Sequence, residues 1–221
     1  MKLLINQPGR TGDILICLPI ARWYSSFYEV HWLCPKEYHD LFRNIEYVIP
    51  VEGYQEKDYE IILDLSFGIQ QGTTLHKWWT HTRPTWQSFV SAKYALANVP
   101  IRQRWNFEWI RNEDRERNLY ERIINKYGTE YAVVHETTWD YHTNISVSIS
   151  KVTFERIADF NIFDWYAVLD KATEMHCIDS SLCNFVDVVP EFHLRKKFYY
   201  SSPKTPSQED RTILMNNWRF V

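Results

Sequence analysis

Asp13 lies directly after a short glycine-containing turn, residues 8–12, at the start of an apolar segment. Residues 1–7 have the composition of a buried β-strand, and residues 14–27 that of a mostly apolar helix. In an open α/β sheet, ligands bind beside the carboxyl ends of the strands, where this turn is expected. A carboxylate in such a solvent-poor place suits general-base chemistry, because burial raises its pKa toward the operating pH. The alternative is that Asp13 only caps a helix beginning at Ile14.

The turn carries three further candidate residues. Gly9 and Gly12 permit positive φ and a close approach of the backbone to a ligand. Arg10 is suited to bind an anionic group of a ligand. The alternative is that Arg10 is simply solvated.

Hydroxyl groups follow two predicted strands in the second half of the chain. Thr137 and Thr138 end the first of these strands, where hydroxyls and amides can bind phosphate oxygens. Asp179, Ser180 and Ser181 precede a predicted helix, whose N-terminal N–H groups and dipole favour a phosphate. Ordinary capping of that helix by Asp179 or Ser180 explains the same residues equally well.

The elements that must position these residues alternate between strand and helix. Strands are predicted at 29–35, 45–51, 59–66, 131–137, 174–179 and 196–202. Helices are predicted at 36–44, 86–99, 114–128, 151–160, 163–172 and 180–189, with a further helix around Trp218. Residues 68–85 read as a loop, and residues 102–110 are ambiguous, with a last strand as one interpretation.

This alternation predicts an α/β protein of two Rossmann-like parallel-sheet halves in series, with a GT-B-like cleft between them. We place an N-terminal domain at residues 1–110 and a reduced C-terminal domain at residues 111–221.

The composition of the chain limits the partners, the location and the cysteine chemistry that we expect. Lys and Arg number 25 against 28 Asp and Glu, which gives a net charge of −3. Without a basic run, nucleic acid is an improbable partner. No segment has the length or composition of a transmembrane helix or of a cleaved leader, so a cytoplasmic location is expected. The four cysteines lie in apolar segments without metal-site spacing, which predicts reduced, buried thiols.

Several catalytic motifs are missing from the sequence. It contains no Asp-x-Asp element, no Gly-x-Gly-x-x-Gly fingerprint, no phosphate-binding Gly-x-x-x-x-Gly-Lys loop and no Gly-x-Ser-x-Gly elbow. The histidines lack the paired spacing of a metal site. We therefore expect no cofactor and no metal.

A family resemblance covers about two-thirds of the chain. Residues 10–42, 47–51 and 59–72 resemble the N-terminal domain of the heptosyltransferase-like glycosyltransferases, which are family nine of the GT-B enzymes. Gly12, Asp13 and Pro19 stand where that family has a Gly-Asp turn before a proline-containing apolar helix. Residues 174–185 resemble its strand ending in Asp, followed by small residues that open a helix facing the donor diphosphate.

The resemblance implies an inverting, metal-independent glycosyltransferase. It would move a sugar from a nucleotide diphosphate donor to a glycan or glycolipid acceptor, with Asp13 as the base. Lys151 is the nearest match to the family's phosphate-contacting lysine. The resemblance places Asp179–Ser181 on the donor side as well. We add Thr137 and Thr138 to the donor side because of their place at the end of a predicted strand.

The sequence also departs from the family. The second half is shorter than usual, and residues 179–183 lack the Gly, Pro and His of the family signature. The alternative function is therefore a non-catalytic glycan- or nucleotide-binding module, in which Trp78 and Trp79 of the predicted loop would bind the ligand. A homodimer that completes a missing wall is also compatible with this sequence.

Overall fold

The structure is a computed structural model, which describes residues 1–66, 86–138, 141–201 and 217–221. The chain divides into two compact units, Met1–Trp109 and Ile110–Val221. Among the described residues, no helix is both long enough and apolar enough to cross a bilayer.

The first unit is a parallel four-stranded sheet with the strand order β3-β2-β1-β4. Its strands are β1 (Lys2–Asn6), β2 (Glu29–Leu33), β3 (Ile49–Val51) and β4 (Ile61–Asp64). Its helices are α1 (Thr11–Tyr24) and α2 (Trp86–Leu96), with 3₁₀ helices at Lys36–Asn44, Glu56–Asp58 and Ile101–Trp105. The central strand β1 pairs Leu4 with His31 of β2 and with Ile62 of β4.

The second unit is a parallel five-stranded sheet with the strand order β6-β5-β7-β8-β9. Its strands are β5 (Tyr131–His135), β6 (Ser150–Thr153), β7 (Glu174–Cys177), β8 (Lys197–Tyr199) and β9 (Arg219–Phe220). Its helices are α3 (Glu113–Tyr127), α4 (Tyr166–Lys171) and α5 (Ser181–Val188), with 3₁₀ helices at Ile162–Trp165 and Pro190–Phe192.

Each unit has its own apolar core. In the first, the interior of β1 and the whole run from Ile14 to Ala21 of α1 are buried. A helix that is apolar all round belongs inside a protein, and α1 follows that rule. In the second, β5 and β7 are buried from the first residue to the fourth. Strands buried on both faces are typical of parallel sheets covered on both sides.

The two parallel sheets confirm the predicted fold class of two Rossmann-like α/β halves. Most predicted strands and helices are present with shifted ends. The helix predicted at 114–128 is α3, and Gly128 follows it with a φ of 81°. The predicted loop at 68–85, including Trp78 and Trp79, lies outside the described residues.

Residues 36–44 are helical as predicted, in the form of a 3₁₀ helix. Three other predictions about elements are wrong. Residues 102–110 contain a 3₁₀ turn rather than a strand. Residues 151–160 are not a helix, because Val152 and Thr153 are β-branched and pair with β5 as strand β6. Trp218 directly precedes β9 and is not in a helix.

The connection from β5 to β6 contains no helix over its described residues. Where a parallel crossover commonly carries a helix, residues 136–138 and 141–149 form none. Instead, Ile145 of this connection joins a buried apolar cluster with Ala132, Val134 and Ile178. The loop itself therefore covers part of the sheet face.

Candidate functional site

Asp13 is the third residue of α1, which begins at Thr11 just beyond the carboxyl end of β1. The interpretation that Asp13 caps a helix beginning at Ile14 is wrong, because the Ile14 N–H already donates to the Arg10 carbonyl at 3.1 Å. Arg10 is the N-cap residue of α1. Asp13 is partly exposed in the first turn, where the helix dipole favours a negative charge.

Arg10, and not one of the glycines, has the positive φ of this turn. Its φ is 58° and its ψ is 124°, whereas neither Gly9 nor Gly12 has a positive φ. Gly12 already belongs to α1, and helical geometry requires a negative φ there. Neither glycine adopts the positive φ that its type permits, and the chain turns into α1 at an exposed arginine.

A buried lysine lies behind this turn. Lys93 of α2 donates from Nζ to the Gln7 side-chain oxygen Oε1 and to the Leu65 carbonyl, both at 2.7 Å. The Gln7 amide nitrogen Nε2 in turn donates to the Gly9 carbonyl at 3.1 Å. Neither Gln7 nor Lys93 was among the residues predicted from the sequence.

A signal for Lys93 exists in the sequence. The buried residues Val90, Tyr94 and Ala97 share its helical face at a spacing of three and four. A lysine within an apolar stripe is unusual, since lysine is almost never fully buried without a partner.

Polar groups also close the carboxyl end of β4. Asp64 Oδ1 accepts from the Asn6 side chain at 3.3 Å and from the Ser66 backbone N–H at 3.0 Å. The Ser66 hydroxyl contacts the same oxygen. This network ties the end of β4 to the end of β1, from which the turn to Asp13 departs.

The thiol of Cys17 lies on α1 one turn after Asp13. Burial raises the pKa of Cys17 to about 11, opposed by the charge of Lys93 and reinforced by that of Asp13. All four cysteines are buried and lie outside any disulfide of this structure. Among the described residues, no group of three or more His, Cys, Asp or Glu side chains could hold a metal ion.

In the second unit, the carboxyl ends of β5 and β7 are adjacent, since the Ile178 N–H donates to the His135 carbonyl at 3.1 Å. Thr137 and Thr138 follow β5, but both hydroxyls have local partners. Thr137 Oγ1 lies 2.8 Å from His142 Nδ1, and Thr138 Oγ1 donates to the Tyr141 carbonyl at 3.4 Å.

Lys151 is on strand β6 and forms an ion pair with Glu136 at 2.7 Å. It also donates to the Ile145 carbonyl at 3.0 Å, while the Ile145 N–H donates to Glu136 at 3.0 Å. Burial raises the pKa of Glu136, but the hydrogen bonds from Lys151 and Ile145 outweigh burial, and its pKa lies below the usual value. Lys151 therefore helps to hold the β5–β6 connection in place.

Ser180 is the N-cap of α5, and its hydroxyl accepts from the Cys183 N–H at 3.3 Å. Ser181 is the first residue of that helix, and Asp179 is partly exposed just before it. Of the two residues considered for capping, Ser180 fills the role. Thr137 and Thr138 thus follow β5, and Asp179, Ser180 and Ser181 follow the neighbouring strand β7. Lys151 contacts Glu136, the residue before Thr137, from strand β6.

No protein-family model matches this sequence, and no curated protein matches it significantly. Solved structures do match across the whole chain. A family 9 glycosyl transferase from Veillonella parvula is 7% identical, with a TM-score of 0.59 over 100% of this chain and 86% of the other. The E. coli heptosyltransferase WaaC, solved with ADP, is 12% identical, with a TM-score of 0.55 over 100% and 90%.

The E. coli ADP-heptose LPS heptosyltransferase II is similar to the same extent. It is 13% identical, with a TM-score of 0.57 over 100% of this chain and 90% of the other. Identities this low show the fold and nothing finer. The chain is similar in fold, along its full length, to glycosyltransferases of the heptosyltransferase type.

Proposed function

We propose that this protein is an inverting glycosyltransferase with Asp13 as its general base. The observation that carries the proposal is the position of Asp13, in the first turn of α1 at the carboxyl edge of a parallel sheet. Support also comes from a fold similar to that of glycosyltransferases over the whole chain. Ligand sites of open α/β sheets lie at this edge.

In the proposed reaction, an acceptor hydroxyl oxygen attacks the anomeric carbon of the donor sugar from the face opposite the leaving group. The bond between that carbon and the phosphate oxygen breaks, and its electron pair leaves with the nucleoside diphosphate. The hydroxyl proton passes to the Asp13 carboxylate. One displacement of this kind inverts the anomeric configuration.

We assign the acceptor to residues 1–110 and the donor to residues 111–221. Arg10 and the turn from Gly9 to Gly12 would contact the acceptor. On the donor side, α5 offers the N-terminal N–H groups of Ser181 and its neighbours to the diphosphate. We include Asp179, Ser180, Thr137 and Thr138 in that site.

One N–H group of the Lys151 ammonium is available to the diphosphate. An ammonium carries three N–H donors, and the described partners Glu136 and Ile145 take two of them. We assign the third to a phosphate oxygen. The pairing with Glu136 would then orient the ammonium rather than remove it from the site.

We propose a metal-independent reaction, since the sequence contains no Asp-x-Asp element. ADP is the first nucleotide to test, because one structurally similar enzyme was solved with ADP and another is described as using ADP-heptose. A cytoplasmic location, a glycan or glycolipid acceptor and a homodimer remain predictions from the sequence.

The test compares wild type with Asp13→Asn in the presence of EDTA. The assay measures release of ADP from ADP-heptose with truncated lipopolysaccharide as acceptor, and calorimetry measures ADP affinity. Loss of a general base lowers turnover by about 100-fold or more. ADP affinity should stay within about twofold, and the free energy of unfolding within about 1 kcal/mol, the usual size of a first-turn charge effect.

Asp114→Asn is the matched control, because Asp114 also lies in the first turn of a helix, α3. It should change neither turnover nor ADP affinity. Full turnover in Asp13→Asn would contradict the assignment of the base. Equal losses of stability, ADP affinity and turnover would assign Asp13 a purely structural role.

A second candidate function is a binding module without turnover. The observation that favours it is that Thr137, Thr138, Lys151 and Ser180 all have partners inside their own unit. This candidate predicts that wild type binds ADP or a glycan but releases no ADP from ADP-heptose. Replacement of Trp78 and Trp79 by Ala would then abolish glycan affinity.

A further inference from the structure

The side chain of Gln7 bridges a buried cation and the turn that leads to Asp13. Its Oε1 accepts from Lys93 Nζ at 2.7 Å, and its Nε2 donates to the Gly9 carbonyl at 3.1 Å. An ammonium can only donate and a carbonyl can only accept, so these partners fix which end of the amide faces which. An amide meets both demands, and a carboxylate of the same length meets only the first.

Gln7 and Lys93 are both buried, and each takes part in a further hydrogen bond. Gln7 is 4% exposed and Lys93 is 0% exposed. Lys93 Nζ also donates to the Leu65 carbonyl at 2.7 Å, and Trp32 Nε1 donates to the Gln7 carbonyl at 2.8 Å. The pair therefore links α2, β2 and the end of β4 to the residue that follows β1. Hydrogen bonds in such a low-dielectric interior are stronger than in water.

The turn held by this pair is strained. Gly9 directly precedes Arg10, whose positive φ of 58° is sparsely populated for residues with a side chain. The Arg10 carbonyl accepts the first hydrogen bond of α1, from the Ile14 N–H at 3.1 Å. Strained conformations persist where surrounding contacts over-determine them, and they concentrate at functional sites. Gln7 supplies such a contact one residue away.

We infer that Gln7 and Lys93 act as a buried clasp that holds the strained turn and thereby positions Asp13 at the start of α1. They are positioning residues, because they act through the backbone of the turn. The catalytic consequence rests on the proposed function of Asp13. The structural consequence does not, and it can be measured without a substrate.

The decisive variant is Gln7→Glu. It keeps an acceptor for Lys93, so the buried ammonium remains paired, but it removes the donor to Gly9. Hydrogen exchange of the Ile14 amide should quicken about fivefold, the effect of losing one hydrogen bond of ordinary strength. Exchange of the Leu4 amide in β1 should stay unchanged as an internal reference.

Turnover of ADP-heptose provides the second measurement. A displaced base costs about 100-fold in kcat, while KM for ADP-heptose should not change. If Gln7 acts through Asp13, Gln7→Glu should cause no further fall in the Asp13→Asn background, since residues that act as a unit are not additive. A role in general stability would instead lower kcat in proportion to the folded fraction.

Gln103→Glu, in the 3₁₀ helix Ile101–Trp105, is the matched control for the added charge. Gln7→Asn carries both hydrogen-bonding groups on a shorter side chain and replaces Gln7→Glu if the buried carboxylate unfolds the protein. Unchanged exchange at Ile14 would overturn the clasp. Faster exchange with unchanged kcat would overturn its catalytic part. If wild type itself lacks turnover, the proposed function fails, while the exchange result still decides the clasp.

Discussion

Arg10 is the residue at which the chain leaves β1 and enters α1, and its backbone has a φ of 58° and a ψ of 124°. Side chains larger than hydrogen are disfavoured at positive φ. In the proposed function, the exposed Arg10 side chain contacts an anionic group of the acceptor.

Replacement of Arg10 by Gly and by Ala measures this strain. At an ordinary exposed position, Ala is more favourable than Gly by about 0.5–1 kcal/mol, because Gly loses more backbone entropy on folding. At Arg10 we expect the reverse order, with Arg10→Gly more stable than Arg10→Ala by about 1 kcal/mol. Urea unfolding of the two variants provides the comparison. A more stable Arg10→Ala would show that the turn is not strained.

His135 ends β5 beside Phe154, at a ring-centroid distance of 4.8 Å. Burial lowers the pKa of His135 to about 4. The unfolded chain, with a pKa near its usual value of about 6.5, binds a proton more readily than the native state between these two values. Stability should therefore fall as the pH drops from about 6.5 to about 4, since the unfolded state gains the proton first.

His135→Phe keeps a ring against Phe154 and removes the titration. Between pH 7 and pH 4.5, wild type should lose about 2–3 kcal/mol more unfolding free energy than this variant. Urea titrations at the two pH values measure the difference, and contributions from other groups cancel between the proteins. The same pH dependence in both would mean that His135 is accessible to protons in the native state.

At the scale of the elements, two neighbouring serines at the start of α5 allow helix capping to be tested separately from ligand binding. Ser180 caps the helix through its hydroxyl, whereas Ser181 is its first residue. Ser180→Ala should cost about 1 kcal/mol in unfolding free energy, the usual effect of losing such a cap. Ser181→Ala should cost less than about 0.5 kcal/mol, in line with ordinary surface substitutions.

Calorimetry with ADP then tests the donor site on the same two variants. If the helix N-terminus binds the diphosphate mainly through its backbone N–H groups, neither variant should weaken ADP affinity by more than about tenfold, the effect of one hydrogen bond to a charged group. A loss of affinity well beyond tenfold in either variant would show that the serine hydroxyl, rather than the backbone N–H groups, makes the main contact with the diphosphate.

The pattern of apolar residues predicted the strands and helices well where consecutive residues of a segment are buried. β5 and β7 are runs of buried residues, and α1 is a longer apolar run, so their existence follows from the sequence. The pattern failed at residues 151–160, where pairing with β5 decides the conformation. Long-range pairing is not encoded in local periodicity.

Only part of the candidate site could be predicted, because local sequence patterns do not encode contacts between distant residues. Asp13 could be placed beside a strand end because the turn lies between a strand and a helix in sequence. Gln7 and Lys93 are 86 residues apart in the chain, and their hydrogen bond exists only in the folded protein. The strain at Arg10 was also hidden, since glycine was the expected residue for positive φ.

At the scale of the whole molecule, the full-length similarity to glycosyltransferases coexists with only 7–13% identity. Parallel sheets require buried apolar strands alternating with helices, and many sequences satisfy that requirement. Very different sequences can therefore form the same overall fold. The fold does not determine which side chains stand at the strand ends, and those side chains decide the chemistry.

The two units, each with its own sheet and core, lead to a prediction for unfolding. Leu4 in β1 and Met175 in β7 are both fully buried, one in each unit. Truncation of either to Ala should cost about 2–5 kcal/mol. Hydrogen exchange under increasing urea should show each loss confined to the unit that carries the substitution. A loss spread equally over both units would show that they unfold as one.

ADP completes this test, because a ligand stabilises the part of the protein that binds it. At 100 times its dissociation constant, ADP should add about 2.7 kcal/mol of stability. If residues 111–221 hold the donor, that gain should appear in the exchange of β5 and β7 and offset the effect of Met175→Ala. The exchange of β1 in Leu4→Ala should stay unchanged. Protection of β1 instead would move the donor to the first unit and reverse the proposed assignment of the two halves.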